Sequence, residues 1–241
     1  MHMLTNGWMR TGLTLLSLGV MGCESADSSD IKTSGMHATF TAVTDGTGTE
    51  ATAVLRVGGS ASNTFVKLSS GDALAVAAGT ETDTLTETHL GDFYSYLGSL
   101  EADDPDTLLT FSFTRAEDTS APASTVTVPN AFSITAPLAS AHISRAAALV
   151  ISWDNSGTSD AMAVAVRGNC IIDHTHTLTG DTGSYTINAA DIRTPEGRET
   201  DACAGTVSVT RTRAGTLDPA FGEGGKVTAT QSRSVDVTID P

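Results

Sequence analysis

Alternation of apolar and polar side chains, with no competing helical period, limits most tightly how this chain can fold. Thr206-Val207-Ser208-Val209-Thr210 and Val235-Asp236-Val237-Thr238-Ile239-Asp240 each place every second side chain on one face. Extended backbone does this, because successive Cβ atoms of a strand point to opposite sides of a sheet. Leu149, Ile151 and Trp153 share a face in the same way, as do Met162, Val164 and Val166, and Leu109, Phe111 and Phe113. Beyond Cys23 no segment carries apolar residues at helical spacing for long enough to predict a helix. Gly, Asp and Asn interrupt the runs at short intervals, Ser69-Ser70-Gly71-Asp72 among them as a hairpin turn. Short strands at such intervals predict an all-β fold built from sandwiches.

One stretch divides the chain. Glu117-Asp118-Thr119-Ser120-Ala121-Pro122-Ala123-Ser124 is polar or small throughout and holds a proline. It reads as a link, with residues 117–122 joining a β-sandwich over 36–116 to a second over 123–241. Each unit is long enough for one hydrophobic core. Leu217–Lys226, with Gly222, Gly224 and Gly225, reads as a glycine-rich hairpin loop in the second.

At the start, Arg10 precedes the uncharged apolar run Thr11–Met21, about half the length a membrane-spanning helix needs. The run ends in Val20-Met21-Gly22-Cys23. This resembles the lipobox of bacterial lipoproteins. The resemblance implies that residues 1–22 are a signal peptide, that the Cys23 thiol carries diacylglycerol, and that cleavage makes Cys23 the acylated N-terminus. Glu24-Ser25-Ala26-Asp27-Ser28-Ser29-Asp30 offers little to bury, so residues 23–35 are expected to be a flexible tether. Glu24, where inner-membrane retention in enteric bacteria is associated with Asp, leans the localisation towards the outer membrane. With Cys23 assigned to lipid, Cys170 and Cys203 remain as an even pair in an exported chain, which predicts a disulfide between them.

Several segments of the second unit resemble fibronectin type III and immunoglobulin-like sandwiches. Leu149-Val150-Ile151-Ser152-Trp153 is similar to the second strand of a type III module with its core tryptophan. Tyr185-Thr186-Ile187, followed by Ala189-Ala190-Asp191-Ile192, matches a later strand and its corner, and Gly205–Arg211 matches the long penultimate strand. The resemblance implies two facing sheets with Trp153 between them.

The formal net charge is −15, and loss of Arg10 with the signal peptide takes it to −16. Such a surface repels phosphate backbones and anionic headgroups, which disfavours both nucleic acid binding and peripheral membrane binding. No G-x-S-x-G motif is present, no cofactor is expected, and the chain reads as non-enzymatic, with an adhesive, structural or partner-binding role. The alternative is a metal-binding periplasmic protein, or a metal-dependent enzyme, that uses His174 and His176. His174 and His176 sit at i and i+2, on one face of an extended segment, and would bind Zn²⁺ or Cu²⁺ given a third ligand such as Asp173 or Asp181. Three acidic loops, Asp45–Glu50, Asp103–Asp106 and Asp154–Asp160, have the oxygen-rich composition Ca²⁺ requires, and equally the composition of ordinary turns. Arg167, Arg211, Arg213 and Arg233 lie near candidate strand ends, where an anion site or salt bridges would account for them. Aromatic residues are 5% of the chain and Trp153 faces the core, which argues against an aromatic sugar platform.

Overall fold

The computed structural model describes residues 24–189 and 191–241; the signal-peptide reading and Cys23 lie outside them. Ten strands come first: β1 (Glu24–Asp27), β2 (Met36–Thr44), β3 (Thr49–Val57), β4 (Thr64–Lys67), β5 (Ala73–Ala78), β6 (Glu81–Thr84), β7 (Thr86–Leu90), β8 (Phe93–Leu100), β9 (Leu108–Thr114) and β10 (Ala121–Thr127). Eight follow: β11 (Ile134–Ala136), β12 (His142–Ser144), β13 (Leu149–Trp153), β14 (Ala161–Gly168), β15 (His174–Leu178), β16 (Ser184–Ile187), β17 (Cys203–Ala214) and β18 (Lys226–Asp240). The only helical segments among the described residues are two 3₁₀ turns, Ser28–Asp30 and Thr33–Gly35.

One sheet of 11 strands runs through the molecule in the order β1-β4-β3-β2-β18-β17-β14-β15, with β7, β8 and β12 joined at its sides. Two smaller sheets pack on its inner face. The sheet β10-β9-β5-β6 closes a first core around Phe40, Leu55, Leu74, Phe111 and Phe113, with the Phe40 and Phe111 rings stacked at 4.9 Å. The sheet β11-β13-β16 closes a second core around Ile151, Trp153, Met162, Val164, Val207 and Ile239. This second half is the type III-like sandwich, with β13 central in the small sheet and β17 flanked by β14 and β18. The alternation supplies both cores: Val207 and Val209 are buried while their hydroxyl neighbours are only partly so.

The strand β18 belongs to both cores. Its Val227 and Ala229 enter the first and its Val237 and Ile239 the second. Its first six residues pair in parallel with β2, and twelve of its fifteen pair antiparallel with β17. Gln231 and Arg211, opposite each other in that pairing, are buried at the seam between the cores.

Two expectations about organisation are corrected. The linker expected over 117–122 is the turn between β9 and β10, plus the start of β10 itself, which pairs with β9. Pro122 is tolerated because β10 is a sheet edge. The β17–β18 connection lies on the residues that follow: Asp218 accepts from the Ala123 N–H, Ser124 accepts from the Asp218 N–H, and a Cβ on Gly215 would collide with the Thr125 carbonyl. The Leu217–Lys226 loop therefore packs on the first core, where Phe221 is buried, and not on the second.

The tether expected over 23–35 is packed from Glu24 onwards. Glu24 donates its N–H to the Asn63 carbonyl at 3.0 Å, and β1 pairs in parallel with β4. Arg115, buried against the carboxylate of Asp72 at 2.8 Å, donates to the carbonyls of Ser28 and Ile31 and to the Thr33 hydroxyl. Asp118 accepts from the Thr33 N–H at 2.7 Å, an interaction that leads in holding its carboxyl below the usual value. Polar composition here serves a hydrogen-bonded strap.

Candidate interaction face

The outward side chains of the long sheet follow from the register. On β17 these are Thr206, Ser208, Thr210 and Thr212; on β18, Thr228, Thr230, Ser232 and Ser234; on β2 and β3, Thr41 and Thr52. Ala163 and Ala165 of β14 lie opposite Thr210 and Ser208, and Thr175 and Thr177 of β15 continue the rows. Cross-strand hydroxyls touch: Thr210 and Ser232 at 3.2 Å, Thr212 and Thr230 at 3.3 Å. No charged side chain interrupts these positions, although the chain carries a net charge of −15. Charge gathers at the ends, where Arg167 pairs with Asp173 and Asp236 accepts from Thr206. A shallow groove of about 420 Å³ lies on this face, floored by Ala163, Ala165, Ser208, Thr210, Ser232 and Ser234, with the charged Arg167 also lining it. Hydroxyls donate and accept in any orientation, so the floor suits a neutral, hydrogen-bonding partner.

The charged residues picked out in the sequence are spent on structure. Asp181 and Arg211 are wholly buried and meet at 2.8 Å. The Trp153 indole donates to one Asp181 oxygen at 2.7 Å and the Thr158 hydroxyl to the other at 2.8 Å. Burial alone would raise the Asp181 pKa, but the Trp153 and Thr158 hydrogen bonds and the Arg211 charge outweigh it and hold the group below its usual value. Arg211 also donates to the carbonyls of Asn130 and Asn155, and its guanidinium lies 4.8 Å from the centre of the Phe132 ring. Arg213 clamps Asp160 with two bonds, at 2.8 and 3.0 Å, and reaches Asp106 at 2.6 Å. The partners are thus aspartates from distant loops, and an anion site at Arg211 or Arg213 would have to displace them.

The same contacts correct the metal readings. His174 and His176 do share one face of β15, opposite Val166 and Val164, whose side chains enter the second core. His176 stacks on Tyr185 at 4.5 Å. Asp181 is unavailable as a third ligand because both its oxygens already accept hydrogen bonds, and Asp173 lies against Arg167. In the Asp154–Asp160 loop, Asp154 accepts from Ser133, Asn155 donates to Ala131, and Asp160 faces Arg213, so a cation there would meet a guanidinium. In the Asp45–Glu50 loop, Asp45 accepts from the Thr47 hydroxyl and N–H, which hold its pKa down. That loop borders an acidic cleft of about 520 Å³ lined by Asp45, Glu50, Glu81 and Glu101. Among the described residues no three His, Cys, Asp or Glu side chains come together as a metal-binding group.

Cys170 and Cys203 form the disulfide that was expected, with Cα atoms 5.8 Å apart at adjoining ends of β14 and β17. Arg145 donates to the carbonyls of Cys170 and Glu199 and so braces the segment that the bridge closes. Neither the hydroxyl face as a whole nor the Arg115 strap was identified from the sequence. The face was foreshadowed, since Thr206, Ser208 and Thr210 alternate with valine.

No protein-family model matches this chain, and no curated protein matches it. Among solved structures, the Bacteroides ovatus mixed-linkage glucan utilization locus SGBP-B, in complex with a mixed-linkage heptasaccharide, aligns with 96% of this chain and 69% of its own, at 12% identity and a TM-score of 0.23. The titin domains z1z2 in complex with telethonin align with 85% of this chain and 95% of theirs, at 9% identity and a TM-score of 0.22. Similarity of this size fixes neither fold nor function. The β-sandwich architecture stands on the strand pairing itself.

Proposed function

We propose that this chain is a non-enzymatic lipoprotein of the bacterial cell envelope, anchored through Cys23, that presents the hydroxyl face of its long sheet to a protein or cell-surface partner. The uncharged, uncovered Thr/Ser/Ala face of β14, β17 and β18 carries this reading. The hydroxyls of this face donate and accept hydrogen bonds, and its charged residues, Arg167 and Asp236, stand at one end. The buried carboxylates and guanidiniums support the non-enzymatic part, because Asp72, Asp160, Asp181, Arg115, Arg211 and Arg213 each hold structural partners. Outer-membrane placement follows the residue after Cys23 and belongs to the same proposal.

A photo-activated cross-linker in place of Ser208, in intact cells, tests the face. The expected result is one discrete adduct that is absent when the cross-linker replaces the exposed Leu138. Adducts at Leu138 and none at Ser208 would contradict it.

A further inference from the structure

The packed N-terminal strap has a geometric consequence for an anchored chain. Glu24 is already hydrogen-bonded to Asn63 and in register with Thr64, and consecutive Cα atoms are about 3.8 Å apart. A lipid on Cys23 would therefore join the folded body one residue from the edge of its long sheet, with no spacer. The same end of the sheet carries the tip of the β7–β8 hairpin. Ser25 donates to Asp92 at 3.0 Å, which ties that tip to β1. On either side of the Gly91-Asp92 turn stand Leu90, 85% exposed, and Phe93, 37% exposed. Phe93 is propped edge-on against Phe65 at 4.8 Å, and Arg56 covers the Phe65 ring. The adjoining loop, Gly58-Gly59-Ser60-Ala61-Ser62-Asn63, carries no charge.

We propose that Leu90 and Phe93 rest in the headgroup region of the bilayer that holds Cys23, so that the body lies directly on its membrane. This rests on the Cys23 anchor proposed above. Two exposed apolar side chains bind a bilayer weakly alone, but a covalent anchor one residue from β1 holds them at high local concentration. The contact has to be apolar, because a body of net charge −16 without Arg10 gains nothing from anionic headgroups. The strand registers carry the orientation further. Met36 of β2 faces Val57 at this end, and Lys226 starts β18 opposite Thr39. Ile239, opposite Cys203, is thirteen residues beyond Lys226, about 43 Å at 3.3 Å per residue. The disulfide end and the groove at Ser232 and Ser234 thus point away from the bilayer.

The test uses the full chain, lipidated in cells, purified and reconstituted in phosphatidylcholine vesicles with brominated acyl chains. An environment-sensitive fluorophore is placed on Leu90→Cys or, for comparison, on Leu138→Cys beside the second core. We expect the fluorophore at position 90 to lose emission to bromine quenching and the one at 138 to keep it. Equal, unquenched emission at both positions in protein shown by mass spectrometry to carry lipid on Cys23 would overturn the docking and leave the anchor standing. Absence of lipid on Cys23 would remove the anchor, and the docking with it.

Discussion

At the scale of single residues, Asp181 balances the buried charge of Arg211 at the margin of the second core. Its carboxylate takes Trp153 on one oxygen and Thr158 and Arg211 on the other, with the Trp153 and Arg211 bonds buried. Asp181→Ala would leave the Arg211 guanidinium buried without a counter-charge, and we expect a loss of about 3–5 kcal/mol in denaturant unfolding. The pH dependence follows in sign. A carboxyl held below 3.8 in the folded state contributes fully above that value and loses its contribution as pH falls below it towards the folded pKa. The variant should therefore show a shallower fall of stability in acid than the parent chain. The core position of Trp153 was readable from its spacing with Leu149 and Ile151. Its bond to Asp181 was not, since 28 residues separate the two and no local pattern marks them.

At the scale of elements, small residues misled and alternation did not. Ala121-Pro122-Ala123-Ser124 has the composition of a linker, yet it is the start of an edge strand, tied to the Asp218 loop through the Ala123 N–H and the Ser124 hydroxyl. The strand β18 was readable as two strands, Lys226–Thr230 and Ser234–Ile239; that they are one, and that the first half pairs in parallel with a strand almost two hundred residues earlier, periodicity cannot reveal. The disulfide was readable because cysteine arithmetic does not depend on distant partners, and the structure places it between neighbouring strands. Its 33-residue separation corresponds to about 3–4 kcal/mol in the chain-entropy model. Because β18, the partner of β17, serves both cores, reduction should lower the temperature of one shared unfolding transition. Two transitions in calorimetry, with only one of them shifted, would show that the cores unfold independently.

At the scale of the whole molecule, the long sheet turns two sandwiches into one body with distinct ends. One end begins at Glu24, the residue after Cys23, and bears the Leu90–Phe93 tip; the other bears the Cys170–Cys203 bridge. Between them the hydroxyl face stays uncovered, as the proposed partner-binding role requires. All of this acquires an orientation only if the chain is anchored at its first cysteine. Metabolic labelling with radioactive palmitate, on the parent chain and on Cys23→Ser in the same cells, tests that most directly. The account predicts label on the parent and none on the variant, which should remain an unprocessed precursor or be released. Label retained on Cys23→Ser, or absent from the parent chain, would contradict it.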